Sequence, residues 1–510
     1  MKNRSLFVKS LSAQIFCGLL IAVASLALSS CHSAQYYYYK FPQYTFANRP
    51  VPPSKLAQRV MVAYSANGSS TDAKGFGLLA ILDAKRDIRS NIEGTIASFS
   101  INGYSAPYPN LILNFPEQVH GYVYSPPDGT LNVIDYSKES ASGSAFGSST
   151  TTVPQAPSIA IPPTFTRYYV AGQATGQFII IDNTTGSSYA LNLPDVDKVV
   201  ANQGDTVVLA MVRNSNTIYR LVKLNANQFP TSLLAIQSTG AADCQPVNLP
   251  VYCIVPVNNG GNSFDRPTDA YFSLDGTTAF VLNCGPECGG TTASVTLLQE
   301  GILNVNSIPT GIPDNPAFVS NVPVPGGVTT ALSNATTLYV AGQQQMPDGL
   351  FTGYLSTIDL AAAANSPSTA VTGKYSISDG NHSKLLFADD NTLWIGSQYC
   401  ATGERQKLNQ NYNCLTRFDM GAKTAQVLPN VTPGGSPTVP YPNTNQNLYY
   451  YGDLTGLCWV QGFHKVYTAY GGQVHAFNTA DGSEINNQFI TVQGIALDVA
   501  YMDAVTNAAN

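Results

Sequence analysis

The chain has 510 residues, 44% of them apolar and only 11% charged. An average soluble domain carries about 25% charged residues, so long, ion-paired helices are excluded as the main architecture. The net charge of -6 is spread without blocks, and without a basic stripe the chain has no electrostatic footprint for nucleic acid. Ser, Thr, Asn, Gln, Gly and Tyr fill the polar share instead, a balance that suits β-hairpins with polar turns.

The chain opens with Lys2, Arg4 and Lys9, followed by an apolar run from Ile15 to Leu28. That run is shorter than the roughly 20 apolar residues of a membrane-spanning helix and fits the apolar region of a secretory signal peptide. Cleavage after a small residue would release a plain secreted chain. A second reading rests on Leu28-Ser29-Ser30-Cys31, which resembles the lipobox of bacterial lipoproteins. That resemblance implies a signal peptide over residues 1–30 and a mature chain that starts at Cys31 and carries lipid there. Asp beside the lipidated cysteine marks inner-membrane retention in that family. Here the position is His32, so the resemblance implies the outer membrane. The expected location is extracytoplasmic and lipid-anchored, with the membrane as one partner. Residues 31–56 read as a tether, because Pro42, Pro50, Pro52 and Pro53 interrupt regular structure. Tyr36 to Tyr39 lie in it, a residue type favoured at lipid interfaces.

From residue 57 to 510 one pattern repeats, which predicts a single domain. In "DAYFSLDGTTAFVLNC", residues 269–284, one strand leads to Asp275-Gly276 and a second returns, since Asp-Gly supplies the positive φ of a tight hairpin. The module recurs at 384–398, 330–343, 198–212 and 458–472, with weaker copies in "ILNFPEQVHGYVYSPPDG" and "IAIPPTFTRYYVAGQ". A third strand follows each hairpin and ends on a turn-forming polar residue: Asp83, Asp135, Asp182, Asn225, Gln299, Asp359, Asp419 and Asn478. A fourth, more polar strand leads on, as in "SSYALNLP" or "EINNQFITV". Four antiparallel strands repeated at this spacing make the blade of a β-propeller. "GIALDVAYMD", residues 494–503, reads as an innermost strand without followers, and the segments after Arg59 read as a blade without its first strand. Joining them closes the ring. The predicted fold is therefore an all-β propeller of eight four-stranded blades, or seven if the drifted second unit is irregular. No helix-period stretch of a dozen residues is present, and "LAAAANSPS" supports one or two helical turns before Pro367.

The module "DAYFSLDGTTAFVLN" followed by "SVTLL" resembles the YVTN-type propeller repeats of bacterial surface and periplasmic proteins, with Phe280-Val281-Leu282-Asn283 at the signature. Proteins of that kind include binding and cell-surface proteins, and related propellers include lactonases and lyases. The resemblance implies a binding or surface-interaction module whose partner is a protein, a glycan or a small molecule. The alternative it implies is a lactonase-like hydrolase or lyase with its site at the central channel.

Cysteine use fits an oxidising compartment. Cys244 with Cys253, Cys284 with Cys288, and Cys400 with Cys414 form three close pairs, each a loop closed by one disulfide. A metal site at "CGPEC" would need further Cys or His ligands at set spacing, and none stands near. Cys458 is left over and reads as a small buried apolar residue. The chain has no Gly-x-Ser-x-Gly elbow, no His-Glu-x-x-His helix and no phosphate-binding glycine pattern between strand and helix. No catalytic residue, metal or cofactor is assigned. "NTADGSE" at 478–484 lacks the twelfth-position glutamate of a calcium loop and reads as a hairpin turn. His120, His464 and His475 fall in hairpins. The best candidates for a site are Arg266, Asp269 and His382, beside the starts of innermost strands, and Asp498 in the closing strand. They predict a polar ring at the channel mouth. The long loops near 226–266, 284–290 and 400–413 are the expected partner-facing segments.

Overall fold

The computed structural model describes residues 50–89, 99–146, 152–227, 231–245, 250–309, 314–430, 451–485 and 490–509. The expected signal peptide, Cys31 and the expected tether up to residue 49 lie outside the described residues. Eight antiparallel sheets form a ring, and each is one blade. Blade 1 draws its innermost strand from the far end of the chain. Ile495–Tyr501 pairs with Arg59–Ser65, and Gly77–Asp83 and Phe99–Ser100 follow outward. The innermost strands of blades 2 to 8 are Leu111–Phe115, Ile159–Ala160, Val196–Ala201, Pro267–Phe272, Thr330–Ser333, Asn381–Ala388 and Leu454–Val460. The drifted second unit is a complete blade of four strands, Leu111–Phe115, His120–Ser125, Thr130–Asp135 and Ser140–Ser144. Eight blades are therefore present, not seven. Among the described residues no helix is long and apolar enough to cross a membrane.

Two units depart from the expected pattern. Blade 4 has five strands, with Asp243–Gln245 added outside Val251–Pro256, and its insertion contains the helix Thr231–Ser238. Eight residues are too few to show a helical period in the sequence; Ile236 and Leu233 nevertheless pack on Val222, Leu224 and Val255 at the sheet's outer edge. Blade 8 has three strands. Its expected fourth, "EINNQFITV", is reduced among the described residues to one bridge between Phe477 and Glu484.

The alternation of side chains explains why the ring holds. Along Arg59–Ser65, Val60 and Val62 join a cluster with Val460, Tyr467 and Ala469 of blade 8, while Met61 and Ala63 join one with Val123 and Ile134 of blade 2. In "FIIID" the same split sends Phe178 and Ile180 toward blade 4 and Ile179 and Ile181 toward blade 2. Successive strand residues face opposite sides, so a sheet buried on both sides reads as a near-continuous apolar run. Every one of the eight seams carries such a cluster. The third-strand ends behave as their chemistry suggests. Asp83, Asp135, Asp182 and Asp419 each accept hydrogen bonds from the backbone N–H groups two and three residues on, and Asp359 caps the helix Leu360–Asn365.

Polar clasps span several seams. In three blades the second strand begins with a base that reaches an acid held at positive φ in a turn of the next blade. Arg59 meets Glu139 at 2.8 Å, Arg167 meets Asp205 at 2.7 Å and Lys465 meets Asp87 at 2.6 Å. Tyr169 and Tyr467 add their hydroxyls to Asp205 and Asp87. Arg59, 3% exposed, also donates to the Tyr136 carbonyl at 2.7 Å and pairs with Asp503 at 2.6 Å. It thereby joins the first and last strands of the chain to blade 2. Removing one member of a buried, hydrogen-bonded pair strands the other charge. Arg59→Ala, which removes the cation shared by Glu139 and Asp503, is expected to lower unfolding free energy by about 3–5 kcal/mol, read from urea unfolding, whereas Lys138→Ala, which removes an exposed pair with Asp135, should leave the midpoint unchanged.

Candidate functional site

The innermost strands of blades 4 to 7 start on one face of the ring, and a cavity of about 620 Å³ opens there. Its walls include Asp197 and Lys198 of blade 4, Thr268, Asp269 and Glu287 of blade 5, Thr329, Thr330 and Gln343 of blade 6, and Asn381, His382 and Tyr399 of blade 7. The size falls within the usual range for small-molecule sites, about 300–1,000 Å³. Gly349, Leu350 and Phe351, from the hairpin between the second and third strands of blade 6, also line it. Asp348 of that hairpin pairs with Lys407 of blade 7.

Two of the three expected disulfides fix loops of this cavity. Cys284–Cys288 closes the short turn that carries Glu287, and Cys400–Cys414 closes the loop that carries Thr402 and Gly403. The third, Cys244–Cys253, crosses directly opposed positions of the two outer strands of blade 4, away from the cavity. Cys458 is buried and unpaired, and burial pushes its thiol above the ordinary range.

A polar belt runs along the wall. Glu287 accepts from the Thr329 hydroxyl at 3.0 Å, the Gln343 N–H at 3.0 Å and the Gln343 side-chain amide at 2.9 Å. Burial raises the Glu287 carboxyl above its ordinary range, and these donors offset part of that rise. The other end of the Gln343 amide accepts from the Gly380 N–H at 2.8 Å, so one side chain of blade 6 bridges blades 5 and 7. Gly380 has φ of 92°, and a Cβ there would lie 2.1 Å from the Gln398 carbonyl oxygen, so only glycine fits this join. Further round, Lys198 pairs with Asp269 at 2.8 Å, and Asp197 pairs with Arg213 at 2.6 Å. Lys198 and Asp197 thus each meet an opposite charge, while Glu287 meets only uncharged donors.

Of the four residues expected at the mouth, the cavity brings together Asp269 and His382. Arg266 is not among its lining residues: it has φ of 55° and its guanidinium donates to the Asn214 carbonyl. Asp498 is buried in the closing strand and serves as a latch. It accepts from the Ile112 N–H of blade 2 at 2.8 Å and pairs with Lys384 of blade 7 at 3.3 Å. Gly456 of blade 8 lies between; a Cβ there would come within 2.7 Å of the Asp498 Cα. Glu287 lies in the 284–290 loop expected to face a partner but was not singled out, and Gln343 and Tyr399 lie outside the expected loops. The signal for Glu287 was its place inside "CGPEC", but a disulfide turn alone does not reveal which way its middle faces.

His382 is 1% exposed. Its Nε2 lies 2.8 Å from the Ser378 carbonyl oxygen, which makes Nε2 the donor and leaves the lone pair on Nδ1, a buried atom without a partner. Among the described residues no carboxylate shares a hydrogen bond with His382. Among the described residues a tight His–carboxylate pair with a tyrosine, His475 to Glu484 at 2.6 Å and Tyr451 to Glu484 at 2.9 Å, is in blade 8 and outside this cavity. Burial depresses the His382 pKa from 6.5 to about 4. The unfolded chain therefore binds the proton more readily. The stability from neutral His382 is complete above pH 6.5 and is lost as pH falls through about 4. Between roughly pH 7 and pH 4.5 this group is expected to cost the protein about 2 kcal/mol. His382→Gln, compared by urea unfolding at both pH values, should lack that part of the pH dependence.

No family model matches the chain, and no curated protein matches it. Solved structures similar to it include the hydrazine synthase of Kuenenia stuttgartiensis, with 13% identity, 76% of this chain and 99% of that one covered, and a TM-score of 0.44. Another is the dihydro-heme d1 dehydrogenase NirN in complex with DHE, with 13% identity, 88% and 76% covered, and a TM-score of 0.45. A third is apo AztD of Citrobacter koseri, with 9% identity, 87% and 98% covered, and a TM-score of 0.40. Likeness at this level carries no argument about function.

Proposed function

We propose that this protein is a lipid-anchored, extracytoplasmic binding module whose ligand site is the cavity across blades 4 to 7. The observation that carries the reading is the belt from Lys198–Asp269 through Glu287 and Gln343 to Gly380. Four blades contribute to one wall, and disulfides hold two of its loops. A site fixed in this way loses little entropy on binding, which is the benefit of preorganisation. The belt bonds to itself and presents polar edges, an arrangement suited to recognition. The lipobox-like Leu28-Ser29-Ser30-Cys31 and the three disulfides both agree with an oxidising space outside the cytoplasm.

The anchor and the site are tested separately. Cys31→Ser is expected to move the protein from the membrane fraction to the soluble fraction; a variant that still sediments with membranes would sink the lipoprotein reading. For the site, the mature protein is passed over immobilised metabolite and glycan libraries. Retention should fall at least tenfold in Gln343→Ala, and by a similar factor after the disulfides are reduced under conditions that leave the circular dichroism unchanged. Equal retention by wild type and Gln343→Ala would place binding elsewhere.

A further inference from the structure

Tyr399 lines the cavity yet is 63% exposed, so it stands at the mouth. Its backbone has φ of 59°, in the left-handed region that a bulky side chain seldom adopts. Local strain of this kind persists only where surrounding contacts impose it. Two contacts do so. The Tyr399 N–H donates to Asp453 of blade 8 at 2.7 Å, and the next residue, Cys400, is locked to Cys414. The fold thus spends stability to hold an aromatic ring in water at the edge of a polar cavity. Below it the wall is rich in uncharged hydrogen-bonding groups, Thr329, Thr330, Gln343, Asn381, Ser383 and Thr402.

The charges narrow the choice of ligand. The lining cation, Lys198, is committed to Asp269, and Asp197 to Arg213. An anion would have to break a pair to find a positive charge. A cation would compete with the three donors already on Glu287. A ring with an apolar face and several hydroxyls satisfies all of these features, because its CH face stacks on an aromatic while its edge bonds to the polar wall.

Resting on the reading of this cavity as the ligand site, we propose that it takes a neutral carbohydrate, one sugar ring stacked on Tyr399 with its hydroxyls bonded to the belt below. Tyr399 then contributes as a stacking platform, and its own hydroxyl is dispensable.

The test uses the mature full-length protein in detergent against arrayed neutral oligosaccharides built from hexoses and N-acetylhexosamines. Phosphorylated and carboxylated sugars are arrayed beside them, and hits are followed by calorimetry. Expected are binding of a neutral oligosaccharide, a loss of at least tenfold in Tyr399→Ala, and affinity within about threefold of wild type in Tyr399→Phe. Tyr399 is exposed, so both variants should melt close to wild type. Neutral-sugar binding that is equal in Tyr399→Ala overturns the stacking platform. Binding confined to anionic sugars, and lost in Gln343→Ala, overturns the neutral carbohydrate but leaves the cavity as a ligand site. Absence of any binding at millimolar sugar, with a non-sugar ligand from the metabolite library lost in Gln343→Ala, does the same. If neither library yields a ligand that depends on Gln343, the underlying reading fails with it.

Discussion

Everything in this structure depends on burying both faces of each sheet. A twisted four-stranded sheet on its own exposes two apolar faces and two edges. The ring solves the faces by setting each sheet between two others, so that odd and even residues of one strand serve different seams. Val60 and Val62 belong to blade 8's seam and Met61 and Ala63 to blade 2's. No blade can leave without opening two clusters, and the whole is stable only when the last seam closes. Closure falls to Ile495–Tyr501, which enters blade 1 from the far end of the chain.

The apolar seams give cohesion but little register, and the polar contacts supply it. Arg59 ties the first strand, Asp503 and the turn of blade 2 into one buried knot. Asp498 does the same near the innermost strands, taking Ile112 from one side and Lys384 from the other past a glycine in blade 8. Such groups are costly to bury unless every partner is present, so they discriminate the correct alignment of blades from a slipped one. Asp498 therefore belongs to the architecture, although its place in the closing strand made it a candidate for the site.

The cavity follows from this frame. Strand starts from four blades converge on one face, and short disulfides fix the loops above them. The polar belt pairs Lys198 with Asp269 and gives Glu287 three uncharged donors, and the exposed Tyr399 is held in a strained conformation by Asp453 and Cys400. The ring thus gives the cavity rigid walls.

The sequence alone determined the blade, its repetition and the closure. These rest on local chemistry that a one-dimensional pattern records: alternating side chains, Asp-Gly turns, and Asp or Asn bonding the next backbone amides. It also determined the three disulfides, because their partners lie within one loop each. The helix Thr231–Ser238 was too short to leave a periodic trace, and blade 8's fourth strand looked regular without pairing as one among the described residues. The site was legible only in part. Asp269 and His382 line the cavity, and their position at strand starts is a property of the repeat that the sequence records. Glu287, Gln343 and Tyr399 come from separate blades, and only the tertiary structure decided that they meet. Arg266 and Asp498 were separated from them by the same cause: strand position is written in the sequence, but the direction of a side chain depends on the neighbouring blade it packs against.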